Sequence, residues 1–217
     1  MKKYNCKKII FSSSATVYRS AEAMPLNENS PLSVINPYGR AKLVIEEILS
    51  DLYASDREFG IVLLRYFNPI GAHKSGLIGE NPTGIPSNLM PYICKVARGE
   101  FFHLNVFGND YDTADGTCIR DYIHVEDLVS GHVKAYDKIK SINGLFTYNL
   151  GTGNGYSVLQ VVKAFEKANN IKIAPRRAGD VATLYADIKK AKSELGFTTQ
   201  YDIEDMYRDS WNFYKNL

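Results

Sequence analysis

The sequence predicts an α/β protein built on part of a doubly wound parallel sheet, with a smaller α/β domain beside it. Residues 8–13 and 60–67 each contain a short apolar run, which indicates a buried strand. Between them, residues 38–55 carry apolar side chains at helical spacing behind Pro37. The order strand, loop, helix, strand is typical of a right-handed parallel crossover.

The remaining elements follow from local patterns. Residues 17–37 and 68–86 are rich in turn-forming residue types, so we expect loops there. Further helices are predicted at residues 88–98, 126–138, 157–169, 186–195 and 203–214, and further strands at residues 121–125 and 146–150.

Composition excludes several classes of protein. The 217 residues include 26 basic and 24 acidic side chains, a balance that argues against nucleic-acid binding. Cys6, Cys94 and Cys118 lie far apart, and His124 and His132 are eight positions apart, so neither a disulfide framework nor a metal site is predicted. No apolar run approaches the roughly 20 residues of a membrane span. We therefore expect a cytoplasmic protein that binds no metal, membrane or nucleic acid.

A glycine-rich segment at residues 151–155 follows a predicted strand and precedes a predicted helix. A dinucleotide-binding turn needs a third glycine three positions after the second, and that position is Tyr156. We therefore interpret the segment as a tight turn with Ser157 as the N-cap of the next helix. No glycine-rich turn precedes Ser12 either.

A tyrosine with a lysine four positions later can form an acid–base pair on one face of a helix. At about 5–7 Å, the ammonium stabilises a phenolate by about 2–3 kcal/mol at an effective dielectric constant near 20. Spacing alone does not select the pair, because four pairs share it. They are Tyr4 with Lys8, Tyr38 with Lys42, Tyr136 with Lys140, and Tyr185 with Lys189.

Only Tyr38 opens a helix after a loop that follows a strand ending in three serines, residues 12–14. Side chains at the carboxyl end of a parallel strand face the crevice in which such folds bind ligands. Two interpretations stay open on these residues alone. Ser14, Tyr38 and Lys42 form a catalytic set, or Ser14 caps a turn beside a partly exposed Tyr38.

Longer motifs carry a family resemblance. Residues 12–18 (SSSATVY) and 37–42 (PYGRAK) resemble the extended short-chain dehydrogenase/reductase family. Five further motifs resemble those of UDP-glucose 4-epimerases within it. They are residues 64–73 (LRYFNPIGAH), 84–92 (GIPSNLMPY), 107–111 (FGNDY), 120–125 (RDYIHV) and 174–180 (APRRAGD).

The resemblance implies a Rossmann-type fold and an isomerase of galactose metabolism. Residues 1–70 would be the C-terminal half of a dinucleotide-binding domain, and residues 71–217 a sugar-nucleotide domain from which 118–150 return to the sheet. The implied reaction interconverts UDP-galactose and UDP-glucose through transient, NAD-dependent oxidation at C4 of the sugar.

The resemblance also implies roles for individual residues. Tyr38 would be the acid/base, Lys42 would stabilise its phenolate and hold the cofactor ribose, and Ser14 would assist proton transfer. Phe67 would join these three in contacting NAD. Substrate contacts would come from Asn68, Asn88, Leu89, Asn105, Phe107, Arg120, Arg177, Asp180 and Leu184.

Departures from the family lead to further expectations. The N-terminal glycine-rich turn of the family has no counterpart here, so we expect this chain alone to bind NAD poorly and to be inactive. A homodimer, through the helix at residues 38–55, is expected for a complete family member and not for this chain.

Two alternatives remain, a non-catalytic UDP-sugar-binding relative and an epimerase of N-acetylated UDP-hexosamines, although the bulk of Leu184 disfavours the second. A 4,6-dehydratase is disfavoured because Thr16, and not a carboxylate, follows the serines.

Overall fold

The computed structural model describes residues 2–18, 24–165 and 170–217. The strands are β1 (Lys8–Ser14), β2 (Gly60–Tyr66), β3 (Asn68–Ile70), β4 (Leu104–Phe107), β5 (Ile119–His124), β6 (Gly144–Leu150), β7 (Gly155–Ser157), β8 (Ile171–Ala174) and β9 (Thr183–Leu184). The α-helices are α1 (Pro37–Ser55), α2 (Leu89–Ala97), α3 (Val125–Ser141), α4 (Val158–Ala164), α5 (Lys189–Leu195) and α6 (Ile203–Lys215).

The predicted parallel sheet is confirmed by β1, β2 and β6, which lie side by side in that order and in parallel. Central β2 is apolar along nearly its whole length because helices cover both of its faces. Ile61 and Leu63 belong to one apolar cluster with residues of α1, and Val62 and Leu64 belong to another with residues of α3. A continuous apolar run is what a strand buried on both faces requires.

A second, smaller sheet is organised around β5. Strand β3 pairs with β5 in parallel, β7 pairs with it antiparallel, and β9 runs parallel to its first residues. Strands β4 and β8 form a separate parallel pair. The boundary between two domains at residue 70 stays a prediction.

Several predicted elements differ from the structure. Residues 68–70 form β3 and not the start of a loop, and Gly155 opens β7 and does not end a turn. The predicted helix at 186–195 begins only at Lys189, because the N–H groups of Ala186 and Asp187 are bonded to Asp121 and Leu26. Strands β4, β8 and β9 were not predicted. Of the helix predicted at 157–169, α4 spans Val158–Ala164, and residues 166–169 lie outside the described residues.

Ser157 is the N-cap of α4, as the sequence predicts. Its hydroxyl accepts a hydrogen bond from the N–H of Gln160, whose side chain bonds back to the N–H of Ser157. Of the three free cysteines, Cys6 is exposed and Cys94 and Cys118 are buried. Within the described ranges, no helix is both long and apolar enough to cross a membrane, and no three His, Cys, Asp or Glu side chains gather as metal ligands.

Candidate functional site

The start of α1 is positioned by its sequence. Asn36 caps the helix by accepting a hydrogen bond from the N–H of Gly39 at 2.7 Å, and Pro37 occupies the first turn. A Cβ atom at Gly39 would lie 2.7 Å from the carbonyl oxygen of Thr16. Glycine therefore lets α1 approach the segment that follows β1, which brings Tyr38 towards the carboxyl end of that strand.

Tyr38 and Lys42 lie together on α1, as their spacing predicts. The Lys42 ammonium is 5.5 Å from the centre of the Tyr38 ring, and it donates a hydrogen bond to the carbonyl oxygen of Ser12 at 2.7 Å. The Tyr38 side chain is 57% exposed, and its hydroxyl makes no hydrogen bond within the described residues. The pair is thus anchored to β1 at the lysine and open at the phenol.

Ser14 ends β1 and is only 8% exposed. Its Oγ accepts hydrogen bonds from the N–H of Thr16 at 3.2 Å and from the Thr16 hydroxyl at 3.0 Å, and so caps the short 3-10 helix Ala15–Val17. Ser14 therefore caps a turn and Tyr38 is partly exposed, as the second interpretation states, and the catalytic set stays a prediction. Because both bonds use Ser14 as an acceptor, its own O–H remains available as a donor.

A buried polar network that sequence reasoning missed lies between β1, β2 and α1. The Arg65 guanidinium binds both carboxylate oxygens of Glu46, at 3.0 and 2.6 Å, and Ser13 donates to the same carboxylate. Arg65 also donates to the Tyr18 hydroxyl at 3.1 Å. Burial alone would lower the pKa of Arg65, but the hydrogen bonds that Arg65 donates to Glu46 and Tyr18 outweigh it, and the pKa is raised. The sequence signal that could have indicated this network is Arg65 itself, a charged residue within the otherwise apolar run of β2.

The candidate cofactor contact Phe67 follows β2 and is 5% exposed. It lies in an apolar cluster with Ala15, which is next to Ser14, and with Ala186. Leu184, a predicted substrate contact, packs against the same cluster. This cluster connects the end of β1 with β9, and it places the candidate sugar contact Leu184 on the same apolar surface as Phe67.

Arg120, Asp180 and Leu184 lie together at the start of β5. Leu184 is the register partner of Arg120 across the β5–β9 pair. The Arg120 guanidinium is 3.6 Å from the Asp180 carboxylate and donates to the carbonyl oxygens of Ile119 and Val181 at 2.9 and 2.8 Å. Arg120 is consequently held in one orientation by three groups.

The two-strand unit β4–β8 supplies a second group of predicted contacts. Leu104 and Val106 point into the core, so Asn105 and Phe107 share the opposite face of β4. The Arg177 guanidinium lies 3.9 Å from the centre of the Phe107 ring and makes no hydrogen bond within the described residues. A guanidinium stacked on an aromatic ring keeps its N–H groups free for an anion.

The three remaining predicted substrate contacts lie on or next to other elements, and in the described part of the chain their side chains make no hydrogen bond to the residues above. Asn68 lies on β3 as the register partner of Tyr122. Asn88 precedes α2, does not cap it with its side chain, and donates to the Glu80 carboxylate at 2.7 Å. Leu89 opens α2 and packs against the second core. No hydrogen bond within the described residues joins these side chains to Arg120 or Tyr38.

Asp121 is a second structural residue that the sequence did not single out. Its carboxylate is fully buried and accepts four hydrogen bonds, from the N–H and hydroxyl of Thr152 and from the N–H groups of Gly153 and Ala186. Burial raises the pKa of Asp121, and these bonds oppose the rise. The residue ties β5 to the glycine-rich turn and to the segment after β9, so it positions Arg120 relative to Leu184.

Known proteins resemble this chain over nearly its whole length. The family model for GDP-mannose 4,6 dehydratase matches residues 1–210. A UDP-glucose 4-epimerase of Bacillus subtilis (strain 168) is 56% identical over 98% of this chain and 64% of its own length. A bifunctional UDP-glucose 4-epimerase and UDP-xylose 4-epimerase 3 of Arabidopsis thaliana is 55% identical, over 98% of this chain and 62% of its own length.

A solved structure agrees closely. The crystal structure of a UDP-glucose 4-epimerase from Bifidobacterium longum in complex with NAD+ and UDP has a TM-score of 0.96 and 54% identity, over 100% of this chain and 66% of that one. The chain thus spans somewhat less than two thirds of the length of these curated relatives. It belongs to the family that the GDP-mannose 4,6 dehydratase model describes, and within that family to the UDP-glucose 4-epimerases.

Proposed function

We propose that this chain carries the catalytic and sugar-nucleotide residues of an enzyme that interconverts UDP-galactose and UDP-glucose. The observation that carries the proposal is the Tyr38–Lys42 pair, which Lys42 anchors to the Ser12 carbonyl oxygen of β1, the strand that ends at Ser14. Of the four pairs with this spacing, it is the one whose lysine is bonded at the carboxyl end of a strand of the three-stranded parallel sheet, where ligands bind in such folds. The pair offers a phenol with a free hydroxyl next to a fixed positive charge.

In the proposed reaction, Tyr38 takes the proton of the sugar 4-hydroxyl and later returns it. The Lys42 ammonium stabilises the phenolate that this transfer needs, by about 2–3 kcal/mol at 5–7 Å. The Ser14 O–H, which no described group accepts, donates to the substrate oxygen or to the phenolate. These steps move a proton between Tyr38 Oη and the 4-oxygen of the sugar, and the Ser14 hydrogen bond holds these two oxygens close together.

The donor set at this strand end fits the ribose of NAD, the cofactor of the Bifidobacterium longum relative. Lys42 uses one of its three ammonium protons on the Ser12 carbonyl, which leaves two for ribose hydroxyls. Phe67 supplies an apolar surface next to Ala15. When bound there, NAD supplies the hydride acceptor and donor for C4 of the sugar.

At the nucleotide end, Arg177 is the proposed principal contact of the diphosphate. Its guanidinium is stacked on Phe107 and has no partner within the described residues, so it can bind phosphate oxygens in pairs. Arg120 is already bonded to two carbonyl oxygens and Asp180. We therefore assign Arg120 to the same anion with fewer free N–H groups, and Asp180 to the ribose hydroxyls.

Leu184 supports a preference for UDP-galactose and UDP-glucose over the N-acetylated pair. It is half-buried against the Phe67 cluster, so the apolar surface on which the hexose would rest leaves little space for an acetamido group. The complete enzyme should turn over UDP-N-acetylglucosamine much more slowly than UDP-glucose. Equal turnover of the two would overturn this assignment.

Three further assignments belong to the proposal: a cytoplasmic location, a place in galactose metabolism, and a homodimer of the complete enzyme through α1. The dimer is supported by Ile45 and Ile48 on α1, which are 37% and 58% exposed. Isolated exposed isoleucines are ordinary, but two at a spacing of three share one helix face.

A chimera tests the activity. The part of the Bacillus subtilis relative that this chain does not match is joined to these 217 residues, and conversion of UDP-galactose to UDP-glucose is followed with a coupled assay. Tyr38→Phe should lower kcat by about 10²–10⁴-fold, the usual contribution of a positioned acid/base. Tyr136→Phe is the matched control, because Tyr136 has the same spacing to Lys140 and its side chain is exposed on α3. An inactive chimera, or equal effects of the two changes, would refute the proposal.

A further inference from the structure

A cleft of about 260 Å³ lies apart from the proposed catalytic residues, between the glycine-rich turn and the start of α6. Its apolar side is formed by Tyr122, Tyr156, Ile203 and Met206. Its polar lining residues are Thr152, Asn154, Thr199, Gln200, Tyr201 and Asp202. Six of the ten lining residues are polar, so the cleft offers many hydrogen-bonding groups beside a smaller apolar floor.

Tyr122 is the unusual member of the lining. It is 3% exposed, and its hydroxyl makes no hydrogen bond within the described residues. Burial raises the pKa of Tyr122, so the hydroxyl is a neutral donor at physiological pH. Its ring is buried, but its hydroxyl oxygen is not among the buried unpartnered atoms, so the hydroxyl faces the cleft, where a ligand or water can bond to it.

The rim carries further polar groups that have no partner. The Asn154 side-chain amide and the Thr199 hydroxyl make no hydrogen bond within the described residues. The Gln200 side-chain amide donates only to the Thr198 hydroxyl, at 3.3 Å, and its carbonyl oxygen has no partner there. These are neutral donors and acceptors beside two aromatic rings. Such a set matches the hydroxyls and the apolar faces of a sugar ring.

The charge around the cleft selects between ligand classes. Asp202 is the ionic residue of the lining, and its carboxylate caps α6 by accepting from the N–H of Asp205. Glu204 and Asp205 follow in the first turn of that helix. With negative charge at one edge and no cation in the lining, a phosphorylated or nucleotide ligand is disfavoured.

We propose that this cleft binds a neutral monosaccharide, with one sugar ring against Tyr122 and Tyr156 and its hydroxyls bonded to the Tyr122 hydroxyl and the Asn154 amide. At roughly 30 Å³ per water molecule, the cleft has the volume of about nine waters, which suits one hexose and not a nucleotide sugar. None of its lining residues belongs to the proposed catalytic or nucleotide-binding set, although Tyr122 and Tyr156 are the strand partners of Asn68 and Arg120.

The test is a titration of the ¹⁵N-labelled 217-residue chain with glucose and with galactose, followed by NMR. We expect saturable shifts of the Thr152, Asn154 and Gln200 amide signals at millimolar sugar. Tyr122→Phe and Asn154→Ala should each weaken binding about five- to tenfold, the effect of one lost hydrogen bond. Neither change removes a side-chain hydrogen bond within the described protein, so both variants should keep the wild-type unfolding midpoint.

Tyr111→Phe is the matched control. Tyr111 is 5% exposed, its hydroxyl is also unpartnered, and it does not line the cleft, so sugar binding should be unchanged. The proposal is overturned if neither hexose gives saturable shifts at these amides, or if both cleft variants bind as tightly as wild type. Saturable shifts with tetramethylammonium and none with hexoses would also overturn it, in favour of a cation held by the tyrosine rings.

Discussion

Replacing Asp121 by alanine removes an acceptor on which two distant segments converge. The carboxylate lies 2.8 Å from the N of Thr152, 2.7 Å from its Oγ1, 3.0 Å from the N of Gly153 and 3.1 Å from the N of Ala186. Each buried N–H left unsatisfied costs about 1–3 kcal/mol, and water in the vacated space recovers part of that cost. We expect the free energy of unfolding to fall by about 3–5 kcal/mol.

Urea unfolding followed by circular dichroism measures this loss. With an m-value near 2 kcal/mol per M, the unfolding midpoint of Asp121→Ala should fall by about 1.5–2.5 M. The unfolding midpoint of Asp121→Asn should lie between those of Asp121→Ala and wild type. The amide keeps one acceptor oxygen, but its NH₂ group faces N–H donors where the second oxygen was. Hydrogen exchange at the amides of Thr152, Gly153 and Ala186 should accelerate in both variants.

Asp51→Asn is the control, because Asp51 is exposed on α1 and makes no hydrogen bond or ion pair within the described residues. Its effect should stay within about 0.5 kcal/mol, as for most surface changes. If Asp121→Ala shifted the midpoint no further than Asp51→Asn, the carboxylate would not hold the glycine-rich turn and the segment after β9. The reasoning about how Arg120 is positioned relative to Leu184 would then be wrong.

Three other outcomes are expected. Glu46→Ala should lower the free energy of unfolding in urea by about 3–5 kcal/mol, because it leaves the buried Arg65 charge without its partner. Glu47→Ala, at the exposed neighbouring position, should change it little, and equal unfolding midpoints of the two variants would contradict this. Burial lowers the pKa of His124 below its ordinary value. Below about pH 6.5 the unfolded chain therefore binds a proton at His124 that the folded chain does not bind, and the free energy of unfolding should decrease as the pH drops through that value. His124→Asn, which retains a capping acceptor, should flatten this dependence between about pH 7 and 5, and an unchanged slope would exclude His124 as its source. The isolated 217-residue chain should bind NAD weakly in calorimetry and convert no UDP-galactose, and robust conversion by it would disprove that expectation.

Sequence reasoning succeeded where short-range patterns decide the structure. The predicted helix at 38–55 is observed as Pro37–Ser55, and the predicted strand at 60–67 as Gly60–Tyr66. Helical periodicity with an N-terminal proline, and an apolar run covered on both faces, are each contained within one segment. Boundaries were therefore correct to within one residue.

Prediction failed where partners lie far apart in the chain. In β4, Asn105 and Phe107 alternate with buried residues, but the strand exists because it pairs with β8, more than sixty positions later. Ala186 lies in a segment with helical character, yet its N–H is bonded to Asp121. The buried Asp121 carboxylate requires hydrogen-bond donors, and this requirement outweighs the local helical propensity of the segment.

The sequence by itself determined the family, through its ordered motifs, and the local elements that carry Ser14, Tyr38 and Lys42. Spacing alone did not separate Tyr38 from three other tyrosines. The strand before it and the longer motifs selected it, and the roles of the site residues stay predictions. Only the tertiary structure decided that Glu46 would meet Arg65, that Asp121 would hold the glycine-rich turn, and that Tyr122 would line a polar cleft. Such contacts depend on the packing of distant segments, in which buried charges and hydrogen-bonding groups must find partners that no local pattern specifies.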